Sequence, residues 1–310
     1  MTHRIPLLID TDPGVDDAWA LLMAFASDLH EVVGLTITAG NVGLEHTVRN
    51  ALKLCEVAGV DVPVFPGCSV PLVFPAEDAA YVHGRDGFGD TGYLPPSRAA
   101  ESEHAALAMI RLSRAHPGLL LVCLGPLTNL ALALRLDPTL PSRVGRLVVM
   151  GGAVTGQGNT SVSAEFNIAF DPEAAHVVLE AFETYDLIDW EAVLRHGLPH
   201  AEVEAWLDEG TAKAAFYRAI SQRTREWSEG RRGTHWHSAD GLAMAAALEP
   251  EAATGWACHA LRVETGGRLT RGATIVDWAD RSGAPAKARI LVGLDPARFR
   301  HALRRALGLP

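Results

Sequence analysis

Apolar positions along the chain fall into two alternating patterns. Short unbroken runs occur at IPLLID (5–10), EVVGLTIT (31–38), VPVF (62–65), LLLVCLG (119–125) and GRLVVMGG (145–152). Their length and lack of alternation suit strands buried on both faces of a sheet. Helically spaced segments separate them: DDAWALLMAFAS (16–27), GLEHTVRNALKLCEVAG (43–59), SEHAALAMIRLSRA (102–115), LTNLALALRL (127–136) and DPEAAHVVLEAF (171–182). Acids open the first of these and Gly59 closes the second, which matches the electrostatics and backbone demands of helix ends. The alternation predicts an α/β fold: one domain over 1–310 with a mainly parallel central sheet flanked by helices and a Rossmann-like core.

The C-terminal third is mixed. TAKAAFYRAISQRTREW (211–227) and ADGLAMAAAL (239–248) have helical spacing, whereas CHALRVETGG (258–267), GATIVDW (272–278) and KARILVGL (287–294) have strand character. Two long stretches rich in Gly and polar residues stand out, YVHGRDGFGDTGYLPP (81–96) and GGAVTGQGNTSVSAEFN (151–167). Loops of that length in a compact domain are usually functional. Each follows an apolar segment, which places both at the carboxyl ends of strands, where open α/β sheets bind ligands.

Composition narrows the partners. With 27 Lys plus Arg against 37 Asp plus Glu, the formal net charge is −10. That argues against nucleic acid or an anionic membrane as a partner. No apolar run is long enough to span a bilayer, and MTHRIPLLID lacks a signal-peptide pattern. None of the cysteines at 55, 68, 123 and 258 forms a CxxC pair, so neither a zinc site nor a redox motif is indicated. A reducing cytoplasm is the expected location.

The candidate chemistry begins in DTDPGVDD, where Asp10, Asp12, Asp16 and Asp17 surround one Pro-Gly turn. Helix capping accounts for one or two of these acids and leaves the others crowding the turn. An aspartyl phosphotransferase loop has the Asp10–Asp12 spacing, but Gly14 stands where Thr or Val belongs and the extra acids would repel a phosphate. A hard cation such as Ca²⁺ removes the repulsion and takes oxygen ligands of this kind. On that reading Asp12 and Asp17 converge on the ion, and Asp16 is free to face a substrate hydroxyl.

DTDPGVDDAWA resembles the N-terminal signature of the nucleoside hydrolases, the inosine-uridine preferring group and its relatives. TAGN (38–41), HGRDGFGD (83–90), LGPLTNLA (124–131), MGGAVTGQGN (150–159), AEFNIAFDPEAA (164–175) and VETGGRLTRGAT near residue 270 recur in family order, so the resemblance covers most of the chain. It implies Ca²⁺ held by Asp12, Asp17, the Thr128 carbonyl and Asp240, with Asp12 as general base toward a water. It implies Asp16, Asn41, Asn159, Glu165 and Asn167 on the ribose hydroxyls and the 5′ side, Met150 along the sugar and His83 beside the base. The implied reaction is hydrolysis of the N-glycosidic bond of a ribonucleoside, through an oxocarbenium-like transition state. The resemblance alone suggests a homodimer or homotetramer.

The chain departs from the family pattern on the base side. Many relatives carry His immediately before the late metal Asp, as an acid for the leaving base; here that residue is Ala239. The nearby candidates lie in GRRGTHWHSAD: His237 as proton donor and Trp236 as stacking partner, on a loop that Gly230 and Gly233 would let move as a lid. TYDLIDWEAVLRHG (184–197) also differs from the usual stretch and resembles a less characterised branch. A ribose- or nucleoside-binding protein with lost turnover is the alternative that Ala239 favours and an intact Asp12 opposes.

Overall fold

The computed structural model describes residues 4–310; Met1–His3, the head of the N-terminal segment read above, lie outside the described residues. In chain order the elements are β1 (Ile5–Thr11), α1 (Val15–Phe25), β2 (His30–Ile37), α2 (Leu44–Ala58), β3 (Val64–Pro66), α3 (Ala80–His83), α4 (Ala105–Ala115), β4 (Leu119–Cys123) and α5 (Thr128–Leu136). Then come β5 (Val144–Met150), α6 (Phe166–Phe170), α7 (Pro172–Ala181), β6 (Tyr185–Ile188), α8 (Trp190–Arg195), β7 (Leu198–Pro199), α9 (His200–Asp208) and α10 (Ala212–Arg232). The last are β8 (His235–Trp236), α11 (Ala239–Leu248), β9 (Ala253–His259), β10 (Leu261–Val263), β11 (Thr274–Val276), β12 (Ala288–Leu294) and α12 (Pro296–Ala306).

One eight-stranded sheet organises the molecule, in the order β3-β2-β1-β4-β5-β6-β12-β9. Every neighbouring pair is parallel except β12–β9, which is antiparallel and closes one edge. Leu8 and Leu121 face one apolar cluster while Leu7, Ile9 and Val122 face another, so side chains alternate between two cores on opposite faces. This is why the strands read as continuous apolar runs. The winding reverses at β1, which pairs with β2 on one side and β4 on the other. The carboxyl ends at such a reversal splay apart and leave a crevice, the usual ligand position of this architecture.

Two helices bring acids to that crevice. α1 and α11 are apolar nearly all round, buried and packed on each other, with alanines at 239, 243 and 245–247 permitting close approach. Asp16 and Asp17 lie in the first turn of α1 and Asp240 in the first turn of α11. Both positive helix ends thus offset part of the carboxylate repulsion.

The C-terminal segments differ from the expected pattern. CHALRVETGG breaks at Ala260: the residues before it finish edge strand β9, and 261–263 turn away to pair with β11 in a separate two-stranded sheet. α10 runs on to Arg232, so Gly230 is helical and only Gly233, at φ +79°, ends the helix. The THWHS segment is held by β7–β8 pairing of Leu198 with Trp236, which removes half of the expected lid hinge. Among the described residues no helix is long and apolar enough to cross a membrane.

Candidate active site

The carboxyl ends of β4 and β5 and the first turns of α1 and α11 floor a cleft of about 780 Å³, and Asp12 and Asp17 lie buried behind that lining. Asp12 is buried on the turn after β1; its Oδ2 accepts the Asn41 backbone N–H at 2.7 Å, and its carbonyl accepts Asn41 Nδ2 at 3.1 Å. A Cβ on Gly40 or Gly125 would collide with the two Asp12 carboxylate oxygens, so the carboxylate fits only because both neighbours are glycine. Asp17 accepts the Gly14 N–H at 2.9 Å, Asn41 Nδ2 at 2.9 Å and the Thr11 hydroxyl. Asn41, which was expected on ribose, lines the cleft and orients two acids, the Asp12 carboxylate through its backbone N–H and that of Asp17 through its side chain. His83 is also fixed at this turn: its Nδ1 accepts the Val15 N–H at 3.1 Å, and burial pulls its pKa down to about 4, so the ring is neutral.

Asp16, Asp17 and Asp240 each offer an oxygen within 4.8 Å of the others. Burial holds the carboxyls of Asp12 and Asp240 well above the usual range and raises that of Asp17 to about 6, and the like charges reinforce all three shifts. The cluster cannot ionise fully without a compensating cation. Its donors are all oxygen, which suits a hard divalent ion rather than a thiophilic one. The residues present therefore fit a metal.

Two further residues of these motifs have partners within the fold. Asp10 is buried with its Oδ1 on Asn129 Nδ2 at 2.9 Å and does not line the cleft, so it is not placed as the nucleophile that a phosphotransferase loop requires. Burial raises its pKa to about 7. Asn129 in turn accepts the Cys68 N–H, tying β1 to the loop after β3. Thr128 opens α5 and donates its hydroxyl to Asp171 at 2.8 Å, which leaves its backbone carbonyl as the group the family resemblance points to. The residue after β4 that lines the cleft is Leu124, whose carbonyl accepts Asn167 Nδ2 at 2.6 Å.

The long loop after β5 folds back over the sugar side. Glu165 caps α6, accepting the N–H groups of Asn167 and Ile168 as well as that of Gly152, and burial raises its carboxyl to about 7. Asn167 spans the Leu124 and Met150 carbonyls. Asn159 accepts the Phe166 N–H at 2.9 Å. With Met150 these residues line the cleft, so the structure gathers Asp16, Asn41, His83, Met150, Asn159, Glu165, Asn167 and Asp240 on one surface.

The opposite wall is aromatic and cationic. Trp236, His237 and Ala239 line it as expected. Trp190, Trp227 and Arg232 join them, and the sequence reading had not singled these out for the site. The Arg232 guanidinium lies over Trp190 at 4.5 Å and over Trp227 at 4.9 Å. Trp190 also meets His237 at 6.1 Å between ring centroids. Burial pulls His237 down to about 4, with Arg232 and neighbouring histidines reinforcing the shift. A signal for this wall exists in the sequence: Thr224, Ser228 and Arg232 recur every fourth residue and form one face of α10 toward the cleft.

Comparison with known proteins places this geometry in context. Residues 7–301 match the model of the family described as inosine-uridine preferring nucleoside hydrolase. The chain is 38% identical over 280 residues to uridine nucleosidase 1 of Arabidopsis thaliana, covering 87% of this chain and 81% of that protein. It is 36% identical over 302 residues to the non-specific ribonucleoside hydrolase RihC of Salmonella agona, covering 97% and 96% respectively. A solved inosine-guanosine nucleoside hydrolase superposes with a TM-score of 0.93 at 30% identity, covering 99% of this chain and all of that one.

Proposed function

The chain belongs to the inosine-uridine preferring nucleoside hydrolase family and is an N-ribohydrolase; we propose that it releases ribose and a free purine or pyrimidine base in a Ca²⁺-dependent reaction. The observation that carries the cation requirement is the meeting of Asp16, Asp17 and Asp240 beside buried Asp12 at the floor of the cleft. Asp12, Asp17, Asp240 and a backbone carbonyl of the β4–α5 segment would hold the ion. Thr128, at the start of α5, is the proposed source of that carbonyl, since the carbonyl of Leu124 is already taken by Asn167 Nδ2 at 2.6 Å. Bound there, the cation supplies the positive charge that lets these carboxylates ionise together and polarises a water.

The chain's own residues supply the remaining steps. Asp12 accepts the proton of the attacking water, a task for which a carboxylate held by the Asn41 backbone N–H is well oriented. Asp16, Glu165 and Asn167 grip ribose hydroxyls, and the two carboxylates stabilise positive charge that develops on the sugar. Trp227, Trp190 and Trp236 receive the base by stacking. His237 hydrogen-bonds the departing base, since Ala239 offers no donor. The unpaired thiols, one of them exposed, support a reducing cytoplasm as the working location, and we expect a homodimer or homotetramer by likeness to the family. Reducing-sugar release from uridine, cytidine, inosine and guanosine tests the reading. Activity should vanish on chelation and return with Ca²⁺; release of phosphate from a phosphate ester, or undiminished sugar release in chelator, would refute it.

A further inference from the structure

Behind the base wall lies a second hollow of about 700 Å³, lined by Leu194, Arg195, Gly197, Arg232, His235 and His237. Arg232 and His237 belong to both spaces and form the partition between them. Two arginines and two histidines with no acid among them line one space in a chain of net charge −10. Among the described residues neither Arg195 nor Arg232 forms a salt bridge, whereas most arginines elsewhere do. The nearest acids are Asp16, across from Arg232, and Asp189, toward Arg195, and neither closes on its cation to salt-bridge distance. Arg195 bonds only the Leu291 carbonyl, at 3.1 Å.

The partition is rigidly built. Two indoles pack against the Arg232 guanidinium, and no side-chain acceptor among the described residues takes its N–H groups. A planar fork held this way suits a carboxylate or another flat anion. His237 Nδ1 and Trp236 Nε1 are buried beside it without a hydrogen-bond partner. A neutral base gives such a cluster little to neutralise; an anionic one would be drawn to it, because low-dielectric walls focus the field of unpaired charges.

We propose that this hollow is an anion subsite for the base, and that the enzyme's substrates include ribonucleosides whose base carries a negative group on the edge away from the glycosidic bond. Arg232 and Arg195 bind that group, and His235 and His237 flank it. The inference rests on the nucleosidase reading for the seat of the base.

The test compares 5-carboxyuridine with 5-carboxamidouridine, which match in shape and differ in charge. Wild-type kcat/KM should favour the carboxylate by about tenfold at low salt, the scale of one charge-assisted hydrogen bond, and the preference should shrink as salt is raised. Arg195→Gln, on an exposed side chain, and Arg232→Gln should each erase most of that ratio. Calorimetric binding of the free bases 5-carboxyuracil and uracil-5-carboxamide gives a readout independent of turnover. Acid-selective binding without hydrolysis of any nucleoside would sink the nucleosidase reading and leave the subsite standing. Equal handling of acid and amide in both kinetics and binding, or a ratio unchanged in both variants, would overturn the subsite.

Discussion

At the acid floor, the buried carboxylates of Asp12 and Asp17 are tied by backbone N–H groups and by one asparagine, and two helix ends point at them. At the base wall the polar atoms are the reverse: Trp236 Nε1 and His237 Nδ1 are buried without partners. Buried polar atoms are normally satisfied, and exceptions concentrate where a ligand completes them. One end of the cleft is therefore fixed before substrate arrives, as sugar chemistry demands. The other is held open by stacked rings and completed by whichever base enters.

Breaking the floor should cost most. Asp12→Asn should lower kcat on uridine by about 10²–10⁴, the scale of general base catalysis. A loss below tenfold would mean that the fixed end is not where the chemistry occurs. His237→Ala probes the other end. It should slow natural nucleosides by about 10², the low end of general acid assistance, and change p-nitrophenyl riboside less than about threefold, because that leaving group needs no donor. Equal losses on both substrates would make His237 a support for the sugar. Trp227→Ala should raise KM for nucleosides by about tenfold with kcat less affected, since stacking on a base is worth about 1–3 kcal/mol and acts on ground and transition states alike. A fall in kcat at constant KM would assign the indole to the chemical end.

The contrast is also why the two ends were unequally legible from sequence. The floor is local: Asp12, Asp16 and Asp17 sit on one turn, and Asp240 opens a helix whose apolar pattern is plain. The sheet was equally readable, because parallel strands buried on both faces leave unbroken apolar runs. The wall is assembled from α8, α10 and β8, which carry no shared motif, and a Trp on a helix reads as core until the fold shows what it faces. α9 and α12 went unpredicted, although α12 carries a clear apolar stripe and its Leu303 carbonyl accepts the buried Trp19 indole N–H at 3.0 Å. Asp10 is the converse case, a motif acid that the sequence reading left outside the site. Its spacing from Asp12 suggested chemistry, yet its carboxylate serves Asn129 and the loop after β3.

A smaller effect concerns stability in the metal-free protein. Burial raises Asp10 and Glu165 to about 7 and Asp17 to about 6. Carboxyls raised above their unfolded values near 4 favour the folded state fully at low pH, and that stability is lost as pH rises through 6–7. Metal-free protein should therefore melt several degrees lower at pH 8 than at pH 5, corresponding to about 1–3 kcal/mol, and Ca²⁺ should restore the loss at pH 8. A melting temperature that rises over this interval without metal would show that the acids are already compensated within the protein.

The central claim is that the crowded carboxylates exist to hold one cation, and calorimetric titration of Ca²⁺ into chelator-treated protein tests it most directly. Buried acids that keep their protons must give them up on binding. The account predicts one site per chain, heats that change with the ionisation enthalpy of the buffer, and loss of the site in Asp240→Asn. Absence of binding in the wild type, or unchanged affinity in Asp240→Asn, would contradict it.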